Sequence, residues 1–216
     1  MRLLLILLAF TVPAQASYYC NRGETDSQCA TRYGLDNVIK VTGQISKSSG
    51  SSVRISDKLI LTANHVTDAM FPLFDGEEGE WIQNSEEWDL DLYRLETTGG
   101  EYAEIGDIPP AGTKVYALGY PLGLAYTVTS GYWIGSFPEG AEYTGYNTAQ
   151  IYPGNSGGAL VYVDEVRGHG FLSVGREVKL LGLTNYGAIY EKRDQVTTMG
   201  WAVTSTYILE FLKSIP

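Results

Sequence analysis

The chain has 216 residues, enough for one large domain or two small ones. Charged residues make up only 19% of it, while glycine (25) and tyrosine (16) are abundant, which is typical of a globular, turn-rich β protein and argues against a disordered chain. The formal net charge of −10 argues against nucleic acid and anionic membrane surfaces as partners, because both bind clustered Lys and Arg.

The first sixteen residues have the pattern of a secretory signal peptide. Arg2 gives a positive start, Leu3–Val12 is apolar, and Ala14–Ala16 is a small-residue cleavage site. The apolar run is too short for a membrane-spanning helix, which needs ~20 residues. We therefore expect cleavage after Ala16, a secreted or periplasmic mature chain (residues 17–216), and no stable membrane insertion.

Cys20 and Cys29 are the only cysteines of the chain. In an exported protein an even pair predicts a disulfide, here closing a small N-terminal loop. Two unpaired thiols remain the alternative. A zinc site is not expected, because no histidine lies near the pair.

From residue 38 onward the sequence alternates between strands and turns. Val38–Val41, Val53–Ile55 and Leu59–Thr62 are rich in β-branched and aliphatic residues, which predicts three strands. His65 follows the third strand, and residues 63–68 predict one helical turn. Taken alone, such a histidine is better explained as a hydrogen-bonded residue of the core.

The second half of the chain continues the β pattern. Residues 97–112 carry paired glycines and paired prolines and predict a connection between two halves. Further strands are predicted at Lys114–Leu118, Tyr126–Trp133, Leu160–Val163, Val178–Gly187 and Thr198–Val203, and Thr144–Ile151 leads into the loop of Ser156. A closing helix is predicted over about 205–214, where apolar residues recur at helical spacing after Ser205.

Ser156 lies in the glycine-rich segment Ile151–Leu160. A serine in such a loop can act as a nucleophile, with the N–H groups of Gly154 and Ser156 directed at the charge that develops on an attacked carbonyl. Serine needs a histidine base, and that base needs an acid to orient it. The chain has only two histidines, and His65 is followed by an acidic strand start, Asp89–Leu95, which gives the order His, Asp, Ser.

Three ordered motifs carry a resemblance to a known family, over roughly residues 38–212. They are Gly50–Val66, Ala117–Gly123 and Pro153–Leu160. With them the chain resembles a trypsin-like serine peptidase, and among these the protease domains of bacterial HtrA type. The resemblance implies an all-β fold of two six-stranded antiparallel barrels, at about 37–105 and 112–204, with a C-terminal helix. We expect no cofactor and no required metal, and the PDZ module of HtrA proteases is not expected after the barrels.

The resemblance implies that His65, an aspartate and Ser156 form a catalytic triad, but two aspartates compete for the second place. Setting Asp89 first in the family pattern leaves Arg94 at an exposed position, and only Asp91 is then unusual, at a normally small apolar site. Setting Asp91 first would bury Arg94, which costs more than a hydrogen-bonded aspartate beside a histidine. We favour Asp89.

The resemblance also locates the residues that would bind substrate. Gln150, six residues before the nucleophile, falls at the floor of the specificity pocket, and Asn185, Tyr186 and Gly187 fall on the strand that pairs with substrate backbone. Because the floor carries no carboxylate, a small or medium uncharged residue is expected before the cleaved bond.

An acidic run lies between His65 and Asp89, at residues 75–80. Chymotrypsin-like enzymes can carry a calcium-binding loop in this region, and carboxylates are suitable ligands for that ion. The run lacks metal-loop spacing, so a solvated loop is the preferred interpretation, and calcium stays the alternative.

The sequence therefore predicts an exported serine endopeptidase that acts on protein or peptide substrates through an acyl-enzyme intermediate. The alternative is a catalytically inactive relative that binds proteins through the same cleft.

Overall fold

The structure, a computed structural model, describes residues 17–45, 48–68, 71–136, 144–167, 174–192 and 195–215. The predicted signal peptide, residues 1–16, lies outside the described residues. The elements of the first half are β1 (Tyr18–Tyr19), α1 (Asp26–Asn37), β2 (Val38–Gly43), β3 (Ser49–Arg54), β4 (Leu59–Thr62), α2 (Asn64–Thr67), β5 (Pro72–Phe74), β6 (Glu77–Glu78), β7 (Glu80–Ser85) and β8 (Leu90–Arg94). Those of the second half are β9 (Glu104–Ile105), β10 (Lys114–Gly119), a 3₁₀ turn (Pro121–Gly123), β11 (Thr127–Ser136), β12 (Thr144–Asn147), β13 (Ala159–Arg167), β14 (Val174–Lys192), β15 (Gln195–Thr204) and α3 (Ser205–Lys213).

The first sheet contains seven antiparallel strands in the order β6-β5-β2-β3-β4-β8-β7. The pairing of its described strands runs as one path and does not return on itself. It exceeds the predicted six strands because the acidic run folds into the short β5–β6 hairpin, in which Leu73 pairs with Glu78.

The second sheet contains a ring of six antiparallel strands. The path β14-β13-β10-β11-β12-β15 closes because β14 also pairs with β15 over a long stretch, from Gly182↔Thr204 to Lys192↔Gln195. Two short strands join the outside of β14, with β1 antiparallel and β9 parallel to it. Strand β9 lies within the connection predicted at residues 97–112, and it pairs with the second sheet.

One core cluster spans the two sheets, and each sheet has a further cluster of its own. A single cluster of buried side chains contains Val53, Leu61 and Leu92 from the first sheet and Leu118 and Val161 from the second. This cluster also includes residues of α1 and α3. The all-β class, the pair of sheets and the C-terminal helix predicted from the sequence are thereby confirmed, although the helix begins after Thr204 as its N-cap rather than at a Ser205 cap.

Helix α1 was not predicted. It begins at a capping box in which Thr25 and Gln28 each accept a hydrogen bond from the other's backbone N–H. Cys29, on its buried face, forms the predicted disulfide with Cys20, with 5.2 Å between the two Cα atoms. The N-terminal segment thus packs as part of the shared core. In the part of the chain described here, no helix is long and apolar enough to cross a membrane.

Candidate active site

The loop around Ser156 requires glycine on both sides of it. Gly154 and Gly157 have φ of +95° and +81°, in the left-handed region that favours glycine. A Cβ on Gly154 would lie 2.6 Å from the carbonyl oxygen of Tyr120, and one on Gly157 would lie 2.2 Å from that of Ser51. The glycines therefore let this loop press against both sheets.

His65 lies on the short helix α2, and its imidazole is hydrogen bonded to Asp89. The Nδ1 atom is 2.7 Å from Asp89 Oδ2, and the backbone N–H of His65 donates to Asp89 Oδ1 over 2.8 Å. Asp89 ends the turn before β8 with φ of +53°, a conformation that Asp tolerates better than most residues. Holding Nδ1 in this way leaves Nε2 as the imidazole nitrogen able to take a proton.

Asp91, the competing aspartate, lies elsewhere. Its side chain is buried and accepts hydrogen bonds from Thr67, Trp81 and Tyr93. Burial raises the pKa of the Asp91 carboxyl above its usual value, and burial together with the Asp91 charge raises the pKa of Tyr93 to about 12. The carboxylate in contact with His65 is that of Asp89.

His65 and Ser156 line the same cavity, of about 340 Å³. In this structure the hydroxyl of Ser156 donates to the carbonyl oxygen of Asn185 over 2.8 Å, and among the described residues it makes no hydrogen bond to His65. Side chains rotate between staggered positions, so a change of χ1 redirects the hydroxyl while the backbone stays in place. The histidine of the first sheet and the serine of the second therefore share one cleft.

Two backbone N–H groups beside Ser156 are held in fixed directions. The carbonyl of Pro153 accepts from Leu122 N (2.6 Å), and that of Asn155 accepts from Gly158 N (2.9 Å) and from the hydroxyl of Thr184. Because a trans peptide is planar, fixing each carbonyl directs the N–H of the next residue, Gly154 or Ser156, the opposite way. Neither N–H donates to an acceptor within the described part of the chain, so both are available to an oxyanion.

Comparison with known proteins decides the family. The family model described as "Trypsin-like peptidase domain" matches residues 50–167, which is more than half of the chain. The chain belongs to the trypsin-like peptidase family. This confirms the sequence-based prediction of a serine-type endopeptidase.

A solved structure confirms the fold of this peptidase. The crystal structure of the serine endoprotease from Yersinia pestis matches with a TM-score of 0.68 and 23% sequence identity, covering 90% of this chain and 68% of the other. No curated protein matches the chain significantly.

The wall of the peptidase's cavity differs in one respect from the sequence-based expectation. The cavity is lined by Asn185, Tyr186 and Gly187, as the sequence predicts, but it is not lined by Gln150. The Gln150 side chain is exposed, and its Oε1 accepts a hydrogen bond from the Tyr152 hydroxyl over 3.3 Å. The next residue, Ile151, is buried and lines the cavity instead.

Ile151 fills the space between two glycines of neighbouring strands. A Cβ on Gly187 would lie 2.9 Å from Ile151 Cβ, and a Cβ on Gly200 would lie 2.5 Å from Ile151 Cδ1. The cleft beside Ser156 is therefore shallow and apolar at this point. Sequence reasoning missed Ile151 because counting back from the nucleophile identifies a position but not the direction of its side chain.

Among the described strands, one side of β14 has no strand partner beyond Leu183. Strand β13 pairs with β14 only as far as Ala159↔Leu183, whereas β15 pairs along the other side, with Tyr186 opposite Trp201. The Tyr186 side chain is exposed and packs against the Trp201 ring with 5.4 Å between centroids. Residues 185–187 thus present backbone groups and an aromatic face to the cavity.

The described residues offer one group of three potential metal ligands, Cys20, Glu24 and Cys29. The two cysteines are joined in the disulfide, which removes their thiolates as ligands. Within the described ranges the carboxylates of the 75–80 run do not gather around a common point. Glu77 instead accepts from the backbone N–H groups of Glu96 and Thr97.

Proposed function

We propose that this peptidase cleaves peptide bonds through an acyl-enzyme on Ser156, with His65 as the base and Asp89 as the acid that orients it. The observation that carries the proposal is the 2.7 Å contact between His65 Nδ1 and Asp89 at the wall of the cavity that also contains Ser156. Asp89 keeps the proton on Nδ1 and stabilises the imidazolium that forms when Nε2 accepts the serine proton.

The reaction begins when the Ser156 hydroxyl turns from Asn185 toward His65. As Oγ attacks the substrate carbonyl, its proton passes to Nε2, and the N–H groups of Gly154 and Ser156 stabilise the oxyanion. One such donor contributes ~3–4 kcal/mol to transition-state stabilisation where measured. The imidazolium then protonates the leaving amine, and water, activated by the same histidine, hydrolyses the ester.

A serine-directed fluorophosphonate probe tests the proposal. We expect the probe to label wild type and not to label Ser156→Ala. The control Ser130→Ala, at an exposed serine, is expected to be labelled as fast as wild type. His65→Ala is expected to slow labelling by at least ~10³-fold, since triad members act as a unit, while the other histidine variant, His169→Ala, keeps the wild-type rate. Folded wild type that resists the probe would instead support the inactive binding protein.

We further propose that the residue before the cleaved bond is small and aliphatic. Ile151 occupies the room between Gly187 and Gly200 that a larger side chain would need, and no carboxylate lines this cavity among the described residues. Fluorogenic peptides that differ only at this position test it, with Ala and Val expected to exceed Phe and Arg in kcat/KM. Truncating Ile151 to Val and then Ala is expected to shift preference stepwise toward larger residues. A wild-type preference for Phe or Arg would contradict the proposal.

We also propose that the enzyme acts outside the cytoplasm. Cys20 and Cys29 form a disulfide, and disulfides persist mainly in oxidising compartments outside the cytoplasm. Residues 1–16 have the composition of a signal peptide. Mass spectrometry of protein from the culture medium and periplasm is expected to find a chain starting at Ser17 with the disulfide intact. Retention of residues 1–16 would contradict cleavage.

A further inference from the structure

Asp91 is a buried carboxylate that the proposed reaction does not use. Only 3% of the residue is exposed, and no salt bridge among the described residues includes it. Three side chains donate to it: Thr67 Oγ1 at 2.5 Å, Trp81 Nε1 at 2.9 Å and the Tyr93 hydroxyl at 3.2 Å. A buried charge is costly unless it is hydrogen bonded, so the position calls for a physical explanation.

The shortest of these bonds leads to the helix that carries His65. Helix α2 has four residues and no side-chain hydrogen bond at its N-cap, Ala63. Such a short helix has little stability of its own. Its orientation therefore depends on the packing of Val66 in the core of the first sheet and against Gly50, and on its bonds to the turn before β8 and to β8 itself.

Those bonds hold the helix at both ends. At the first end, Asn64 N donates to Asp89 O over 3.2 Å, and His65 is bonded to the Asp89 carboxylate. At the other end, Thr67 is bonded to Asp91. Without the bond to Asp91, the packing of Val66 and the bonds at Asp89 would restrain α2 less tightly, and His65 would move with the helix.

We propose that Asp91 is a positioning residue that, through Thr67, fixes the orientation of α2 and so holds the His65 imidazole within reach of Ser156. The inference rests on the proposed function, because it assigns Asp91 a part in the same proton transfer. Trp81 and Tyr93 hold the Asp91 carboxylate from the side of the first sheet, so its position is defined independently of α2. A displacement of about 1 Å at a catalytic group costs up to ~100-fold in rate.

The test compares the three donors to one carboxylate. Thr67→Val nearly keeps the side-chain shape but removes the bond from α2 to Asp91, together with the bond from Thr67 Oγ1 to Asn64 O inside the helix. Thr67→Ser keeps both bonds. Asp91→Asn weakens the three bonds to the carboxylate and leaves the bond inside the helix. Trp81→Phe and Tyr93→Phe are the matched controls, because each removes one bond to Asp91 while leaving the bond to α2. The measurements are kcat, KM, the rate of fluorophosphonate labelling, thermal unfolding, and the downfield proton signal of His65 Nδ1–H.

We expect Thr67→Val and Asp91→Asn to lower kcat and the labelling rate by about 10- to 100-fold, with KM little changed and the His65 proton signal broadened. Thr67→Ser is expected to restore the rate. Wild-type rates in Thr67→Val, or equal losses in the two Phe variants, would overturn the inference while leaving the proposed function intact. If wild type itself is not labelled, the proposed function fails, and the His65 proton signal then decides whether Asp91 positions the histidine. Loss of this signal in Thr67→Val would support the positioning role, and an unchanged signal would refute it.

Discussion

Replacing Ser51 by alanine tests how the first sheet holds the nucleophile loop. Ser51 lies in β3 and is fully buried. Its hydroxyl donates to the carbonyl oxygen of Gly154 over 2.8 Å and accepts from the backbone N–H of Tyr120 over 2.9 Å. The variant removes both bonds and leaves the backbone bond from Ser51 N to Ser156 O unaffected.

The magnitude follows from the two groups left without partners. An unsatisfied buried polar group costs about 1–3 kcal/mol. Both bonds are only partly buried, so we take the lower end of that range, about 1–1.5 kcal/mol for each group, and expect a loss of about 2–3 kcal/mol in the free energy of unfolding. For a chain of this size that corresponds to a fall of roughly 4–12 °C in Tm.

Ser52→Ala is the matched control for this prediction. Ser52 is the next residue of the same strand and is equally buried, but its hydroxyl makes one bond, to the carbonyl of Ile39 at 3.2 Å. We expect it to lose about 1 kcal/mol. Urea and thermal unfolding measure both variants, and fluorophosphonate labelling reports on the loop, which we expect to react more slowly in Ser51→Ala alone. Equal stability and equal labelling in the two variants would refute the reasoning.

Three further predictions concern other parts of the molecule. Thr184→Val removes the hydroxyl that donates to the Asn155 carbonyl, so kcat should fall at constant KM, by less than the ~100-fold lost with a whole oxyanion donor. Thr184→Ser should restore kcat. An unchanged kcat in Thr184→Val would show that this hydroxyl does not support the oxyanion site. Replacing both cysteines by serine opens a loop whose ends are separated by 9 residues in the sequence. The free energy of unfolding should then fall by about 2.5 kcal/mol. An unchanged Tm would show that other contacts close the loop. The hydrogen bond from Arg32 lowers the pKa of Glu24 from 4.5 to about 2. The ion pair therefore stabilises the fold above pH 4.5, and this stabilisation is lost as the pH falls toward 2. In Glu24→Gln the free energy of unfolding should fall less steeply between these pH values, and the same slope as in wild type would contradict this prediction.

The sequence predicts those parts of the molecule whose signals are local. Short runs of β-branched, aliphatic and aromatic residues identify β2, β4 and β10, because a strand can be recognised from its own apolar run and the turn residues that bound it. The glycine-rich loop around Ser156 and the turn carrying His65 are recognised for the same reason. Helix α1 has a local signal too, the capping box of Thr25 and Gln28, but its polar sequence does not show which face is buried.

The remaining features depend on contacts between distant residues. The partners of Asp91 include Thr67 and Trp81, which lie 24 and 10 positions away, so the sequence alone does not reveal a hydrogen-bonded site. Ile151 and Gln150 are neighbours whose side chains take opposite environments, one buried and one exposed. Which of them faces the cleft is decided by the glycines at 187 and 200, on strands that the loop reaches only after folding.

The contact between the two sheets makes catalysis and stability depend on the same few backbone groups. Ser51 N donates to Ser156 O over 2.9 Å, and Gly157 lies so close to the Ser51 carbonyl and to Thr62 that no side chain fits. Thr62 ends β4, three residues before His65, so the first sheet contacts the serine loop with the same strands that lead to the histidine. Backbone contacts therefore fix how close the loop of Ser156 lies to the strands that lead to His65. In the mechanism we propose, Asp89 and Asp91 then have only to fix the orientation of the helical turn that carries the imidazole.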